Sequence, residues 1–575
     1  MPMPTSVRPL LRLCAALAAL GLPSLACAPG NIGIPVSEGE TGQDSSSSTD
    51  GGGDSTGWLR VNKDVDILFV IDNSGSMGEE QALLAQNFAS FIEVLEHPYV
   101  DANYRIGITT TDNGNIWCPA GRTTPEGGRL VATPCKQRLG DFVFDGGNFS
   151  IEDLACNDIC TLSDAELEIL PTTTDYDPNP APRPWLERIE GAQNLPEGTS
   201  MAEAFKCFAP QGITGCGFES QLESMYLALI RAQTSNEDSY GFMRESAILA
   251  VVLLTDEADC SANPDYSEIF AADGNKVFWS DPTSSFPSSA VCWNAGTFCM
   301  GDPTNYDSCE PLNWDVDGNP NVADADAVMR PMSRYRDFLQ GIEDQKKQLN
   351  PDRDVIISLI GGVDPSGSVF YGEVGSTDPA FQEAFGIGPG CETINPAIPE
   401  EPIQAVPPVR IRALVDEFTP GNMFSICADD YSPALEAIAE RIRDQIQPAC
   451  YWGCVADSDP ATALLEPECE VFEKNFGQDP VEISECLRDA DGYVPSEFDD
   501  YSMPSDADNV CYALLVDSEG LTADINDDLS DYCAEDGFNL EFRIARRVGF
   551  PALGGSLIDA ECFLSEYPAI DCPGL

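Results

Sequence analysis

The segment VDILFVIDNSGSMGEEQALLAQNFASFIEVL, from Val65 to Leu95, constrains the fold more than any other stretch of the chain. It is apolar for most of seven residues, breaks on polar and glycine residues, and resumes with apolar positions at helical spacing. That pattern predicts a buried strand, a loop and an amphipathic helix. The same pattern recurs in YRIGITTTD (104–112), in LESMYLALIRA (222–232) leading to SAILAVVLLTDEADC (246–260), and in YRDFLQGIEDQKKQL (335–349) leading to DVIISLIGG (354–362). A last unit joins VRIRALVDEF, the short strand MFSIC and the helix PALEAIAERIRDQI (433–446). Strands alternating with helices predict an α/β fold with a doubly wound, mostly parallel sheet covered on both faces.

Polar, Pro- and Cys-rich stretches at about 113–200, 258–330 and 363–408 separate these units. They are expected to be loop insertions in one domain, 59–448, because the strands on either side continue one pattern. From 449 to 575 the texture changes to short segments spaced by Cys, Asp, Gly and Pro, which predicts a small, disulfide-rich and β-rich C-terminal domain. Its bridges are expected among Cys450, Cys454, Cys469, Cys486, Cys511, Cys533, Cys562 and Cys572. The close pairs Cys156/Cys160, Cys207/Cys216 and Cys450/Cys454 are candidate local bridges, although spacing alone does not fix connectivity.

The start of the chain predicts export. Arg8 and Arg12 precede an apolar run from Leu13 to Leu22 and a small-residue site at Ala26, the layout of a signal peptide over 1–27. Cys27 follows Leu25 and Ala26 as in a bacterial lipobox, where the cysteine is acylated; cleavage without lipidation, giving a secreted or periplasmic protein, is the alternative. Residues 28–58 are a Ser/Gly/Asp-rich linker suited to a tether. Removing Cys14 with the signal and Cys27 with the lipid leaves 20 of 22 cysteines, an even number that agrees with an oxidising compartment. The balance of 30 Lys+Arg against 96 Asp+Glu, a net charge of −66, excludes ordinary nucleic-acid binding. His97 is the one histidine, so imidazole-dependent catalysis has little to work with.

The loop after the first strand reads Asp72-Asn73-Ser74-Gly75-Ser76. One carboxylate and two hydroxyls on a turn at the carboxyl edge of such a sheet suit a hard divalent cation, Mg²⁺ first, with Mn²⁺ or Ca²⁺ as alternatives. A phosphate loop would need a GxxxxGK[ST] pattern, and no Lys follows. In the second insertion, Asn313, Asp315, Asp317, Asn319, Asn321 and Asp324 stand at calcium-loop spacing with Gly318 at the sixth position, which makes a second cation (Ca²⁺) site or an acidic turn.

VDILFVIDNSGSM resembles the first strand and metal-ion-dependent adhesion site of von Willebrand factor A (VWA) domains. The resemblance covers the strands and helices between about 61 and 447. It implies that Ser74, Ser76 and a threonine of a later loop contact the metal, while Asp72 and Asp256, the Asp of AVVLLTDEADC, hold it largely through waters. Thr214 is the first choice for the threonine and Thr199 the rival. The shell would leave a position for a partner's acidic side chain; Glu257, where the family has Gly, departs from the pattern there. With the Cys-rich insertions and the lipoprotein-like start, the chain is similar to VWA lipoproteins predicted in myxobacteria. The resemblance implies a non-enzymatic function: cation-dependent binding of a protein or surface ligand from the cell envelope or outer membrane. A structural envelope lipoprotein with a stabilising metal and a secreted hydrolase using paired carboxylates are the alternatives.

Overall fold

The computed structural model describes residues 56–575 except 62, 98–99, 119–122, 145–148, 350–353, 395–401, 447–449, 452, 460, 462–463, 475–478, 490–491, 497–500, 519, 523, 531–532, 535–536, 548–549, 551–556 and 573–575. The expected signal peptide, Cys27 and nearly all of the expected linker lie outside the described residues.

A strand β1 (Thr56–Val61) leads into a seven-stranded mixed sheet. Its members are β2 (Asp64–Ile71), β3 (Asn103–Thr110), β4 (Leu186–Ile189), β5 (Ala192–Gln193), β6 (Ile248–Leu254), β7 (Ile356–Gly361) and β8 (Met423–Ser425), in the spatial order β8-β7-β6-β2-β3-β4-β5. The five from β8 to β3 run parallel, with β2 paired to β6 from Val65 opposite Ile248 to Ile71 opposite Leu254. β4 and β5 add an antiparallel edge.

Alternate residues of β2 face opposite layers, as a strand requires. Val65, Ile67, Phe69 and Ile71 join one core with side chains of α1 (Gly78–Leu95), α2 (Met201–Phe208) and a C-terminal helix, Ser432–Arg443. Phe69 meets Phe88 and Phe205 there at ring-centroid distances of 5.8 and 5.2 Å. Leu68 and Val70 face a second core built with α3 (Gln221–Ala232), α4 (Met332–Leu349) and α5 (Val409–Phe418). Helices on both faces bury the central strands, which explains their nearly unbroken apolar runs. Asp66 interrupts that run, fully buried, and is matched by the equally buried Arg244, whose Nε donates to Asp66 Oδ1 at 2.8 Å while Nη1 lies 3.0 Å from Asp64 Oδ1.

The antiparallel edge comes from inside the expected 113–200 insertion. Its sequence, LERI, carries two charges and does not read as a sheet strand. Glu187 is nevertheless buried, accepting from Arg105 Nε at 2.6 Å, so a charge that suggests a loop is half of an internal ion pair.

Ten disulfides join the described cysteines, and they correct the local bridges expected from spacing. Cys156 pairs with Cys135, Cys160 with Cys207, Cys216 with Cys118, Cys450 with Cys533, and Cys454 with Cys572. Cys156 and Cys160 are one helical turn apart, with Cys160 N–H bonded to Cys156 C=O at 2.8 Å, and each reaches outward to a different segment. Cys260–Cys292, Cys299–Cys309 and Cys391–Cys427 staple the later insertions.

The eight C-terminal cysteines pair among themselves, completed by Cys469–Cys562 and Cys486–Cys511. This region is built on strands β9 (Cys469–Lys474), β10 (Val481–Glu482), β11 (Val510–Leu515), β12 (Glu541–Arg546) and β13 (Leu557–Phe563). β1 completes its sheet in the order β1-β13-β9-β10, with Thr56 opposite Phe563 and Val61 opposite Ile558. A strand thus begins inside the stretch whose composition reads as linker. Arg546 binds both Glu473 of β9 and Glu190 at the β4–β5 turn, and Asp54–Leu575 forms one compact unit.

Candidate metal centre

Parallel pairing brings the carboxyl ends of β2, β3 and β6 side by side, and their loops build the site. Asp72 N–H bonds to Leu254 C=O at 3.0 Å and Thr111 N–H to Ile71 C=O at 3.3 Å, so the three loops leave the sheet in register. The Asp72 carboxylate is fully buried. Its Oδ1 accepts from Ser74 N–H at 2.9 Å and from the Thr111 hydroxyl at 3.4 Å; its Oδ2 accepts from the Thr255 hydroxyl at 2.6 Å. Ser74 and Ser76 place their hydroxyl oxygens 3.3 Å apart, Ser74 buried and Ser76 exposed. The Ser76 hydroxyl favours the charged form of the Asp256 carboxylate, which extends from the end of β6. Asp72, Ser74, Ser76 and Asp256 therefore stand together.

A fourth loop, 211–220, closes over them. Gln81 of α1 donates to Asp72 C=O at 2.7 Å and Gly212 C=O at 2.8 Å, and its Oε1 accepts from Gln211 N–H at 2.8 Å. Gly215 N–H bonds to Asn73 C=O at 2.8 Å, and a Cβ on Gly215 would come within 2.2 Å of Asn73 Oδ1, so this approach requires glycine. Thr214 lies between these two attachments, half-buried. Thr199 sits in the preceding insertion beside the N-terminus of α2, where its hydroxyl donates to Glu166 C=O at 3.3 Å. The sequence reading missed Thr111, Thr255, Gln81, Glu80 and Glu219. Of these, only the threonines carry a local signal, a hydroxyl at the carboxyl end of a buried strand.

The electrostatics of the site are one-sided. Burial, with Asp72 next to it, pushes Asp256 up to about 7. Burial raises Asp72 too, against the three hydroxyl and amide donors that favour its charge. Glu80, Glu219 and Glu257 are pushed well above the usual carboxylate range by burial and then by Asp72 and Asp256, Glu219 also by Glu257. The charged neighbours acting on these groups are carboxylates throughout. Asp256 Oδ1, Glu80 Oε2 and Glu219 Oε1 are buried with no hydrogen-bond partner. Buried, unpartnered oxygen acceptors beside two serine hydroxyls are a donor set that fits a hard divalent cation.

Ser288 lines a cleft of about 360 Å³ walled by Trp279, Phe286, Asp281 and Glu383. The ring of Phe286 is 67% exposed.

Two other acidic groupings are distinct from this centre. In the calcium-spaced loop, Asp315 Oδ1 accepts from the N–H groups of Asp317 and Asn319 at 3.0 and 2.8 Å, and its Oδ2 from the Asn319 side chain at 2.8 Å. Asn313 donates to Asp324 at 2.8 Å, and Asn321 is an exposed residue at φ 61°. The side chains of this loop thus close it on itself. In the C-terminal region Asp517, Asp527 and Asp528 each bring a carboxylate oxygen within 4.8 Å of the others, a cluster that can coordinate a divalent cation. Thr522 bonds two of them, its N–H to Asp517 at 2.7 Å and its hydroxyl to Asp527 at 2.9 Å. No sequence motif marks this cluster. His97 is exposed after the end of α1.

No protein-family model matches the chain, and no curated protein does. Among solved structures it is similar to the pilus adhesin SpaC from Lactobacillus rhamnosus GG in two crystal structures, one of an open conformation, at 11% and 10% identity. Both matches cover 89% of this chain and 41% of the adhesin, at a TM-score of 0.23. The chain spans about two fifths of the adhesin's length. A TM-score this low carries no argument about fold or function.

Proposed function

We propose that this chain is an exported, lipid-anchored VWA-type protein of a bacterial cell envelope that holds a divalent cation at Asp72, Ser74, Ser76 and Asp256 and uses it to bind a protein or surface ligand. The observation that carries the reading is the convergence of these four residues around buried carboxylate oxygens that lack partners. The sheet order, with the DxSxS loop on the central β2 and Asp256 at the end of neighbouring β6, supports the family reading. Ten disulfides support residence in an oxidising compartment. The exposed Ser76 hydroxyl supplies a point at which a ligand can meet the ion.

In this arrangement Ser74 and Ser76 offer hydroxyl oxygens, Asp72 is locked by Thr111 and Thr255, and Asp256 turns its free oxygen inward. A bound divalent ion supplies positive charge where the chain has gathered only negative charge. One observation favours a second reading: Glu257 adds a further buried carboxylate beside Asp256, which suits an ion that only stabilises the loops.

Thermal melts of the disulfide-intact chain in EDTA and in Mg²⁺, Mn²⁺ or Ca²⁺ test the site. At an ion concentration 100 times Kd, wild type gains about 2.7 kcal/mol by linkage, and a Ser74→Ala/Ser76→Ala variant of matched circular dichroism gains nothing. Equal gains in both proteins refute the site. Cation-dependent retention on envelope fractions, lost in the same variant, separates ligand binding from a purely stabilising ion.

A further inference from the structure

We propose that Glu219, and not a threonine, is the ligand that the 211–220 loop gives to the cation. The inference rests on the cation site proposed above and identifies a residue that the family resemblance does not. Glu219 is 1% exposed and its Oε1 has no partner. The carboxylates whose charge acts on it are Glu257, Asp72 and Asp256, the last two already part of the centre.

Backbone and side-chain bonds on either side fix it there. Glu219 C=O accepts from Cys260 N–H at 2.7 Å, and Ser220 N–H bonds to Thr111 C=O at 2.9 Å. The Ser220 hydroxyl donates to Cys260 C=O at 3.0 Å, and Gln221 donates to the Thr255 hydroxyl at 2.7 Å. Thr111 and Thr255 are the two threonines whose hydroxyls hold the Asp72 carboxylate. Glu219 is therefore stapled to the ends of β6, which carries Asp256, and of β3, the two neighbours of the strand β2 that carries Asp72. The disulfide from Cys216 to Cys118 clamps the loop from its other side.

Thr214 stands differently. Its neighbours bind Asn73 and Gln81, and its own side chain is half-buried. An uncharged hydroxyl tolerates that place without an ion. A fully buried carboxylate oxygen with no donor does not, because its desolvation is uncompensated unless a cation or a proton meets it. The serine hydroxyls and the inward oxygen of Asp256 make the cation the fitting partner.

The test is calorimetric titration of Mn²⁺ into the full disulfide-intact chain, wild type beside Glu219→Gln, Glu219→Asp, Thr214→Val and Ser74→Ala/Ser76→Ala. The expected result is an affinity loss of more than about tenfold in Glu219→Gln, partial recovery in Glu219→Asp, and a change under about threefold in Thr214→Val. Thermal melts in EDTA supply a readout that does not depend on the ion: near neutral pH Glu219→Gln, which needs no proton taken up on folding, melts no lower than wild type. A Glu219→Gln affinity within threefold of wild type, or a Thr214→Val loss as large as that of Glu219→Gln, overturns the assignment while the site survives. An unchanged affinity in the double serine variant overturns the site itself. Should Glu219→Gln fail to fold, the Glu219→Asp and Thr214→Val titrations decide by the same comparison.

Discussion

Asp256 shows most directly what burial does to a single side chain here. It is pushed up to about 7 by desolvation and by Asp72, and the sign of the consequence follows from linkage. The folded chain holds a proton that the unfolded chain has released, so its stability is full below the ordinary carboxylate range and is lost as pH rises through about 7. Glu80, Glu219 and Glu257 are raised by the same cause and act in the same direction. Melts in EDTA should therefore show a transition temperature falling between about pH 4 and 8, and Asp256→Asn should flatten that slope. A metal-free stability that rises over this range contradicts the burial of these groups. At this scale Asp72, Ser74, Ser76 and Asp256 were legible, because each follows a buried strand and oxygen side chains in such loops are conspicuous. Glu219 was not, since it is one of 96 acidic residues and only its folded surroundings single it out.

Among the elements, the strongly apolar strands β2 and β6 and the amphipathic helices were legible from periodicity, and the helices take the two faces that the alternation of β2 assigns. β4 was not legible, because Glu187 is buried against Arg105 and its charge hides the strand. The same kind of pairing holds β2: Arg244 binds Asp64, Asp66 and the carbonyls of Val65 and Asn103. Arg244→Ala leaves Asp66 buried without its cation and should cost about 3–5 kcal/mol. Denaturant unfolding measures it. Since Arg244 lies at the opposite end of β2 from Asp72, Mn²⁺ affinity of the folded variant should stay within about threefold of wild type, far below the tenfold steps of ligand-shell changes.

The whole molecule is tied by connections that only the folded chain displays. The cysteine count predicted an oxidised protein, yet the close pairs pointed to the wrong partners, because residues a turn apart on one segment reach different neighbours. β1 was likewise hidden, lying at the end of a linker-like stretch and pairing with β13 some 500 residues away. A chain beginning after β1 should lose hydrogen-exchange protection in Leu557–Phe563 and keep its Mn²⁺ response, since the proposed cation centre is built on β2, β3 and β6; loss of both would place the C-terminal sheet in support of that centre. The proposed cation belongs at the carboxyl ends of those strands. Anomalous diffraction from crystals grown in Mn²⁺ tests this placement most directly. The expected result is a peak bounded by Ser74, Ser76 and Asp256, with Glu219 against it. Peaks confined to the Asp517–Asp527–Asp528 cluster or to the Asn313–Asp324 loop, with none beside Ser74, would contradict it.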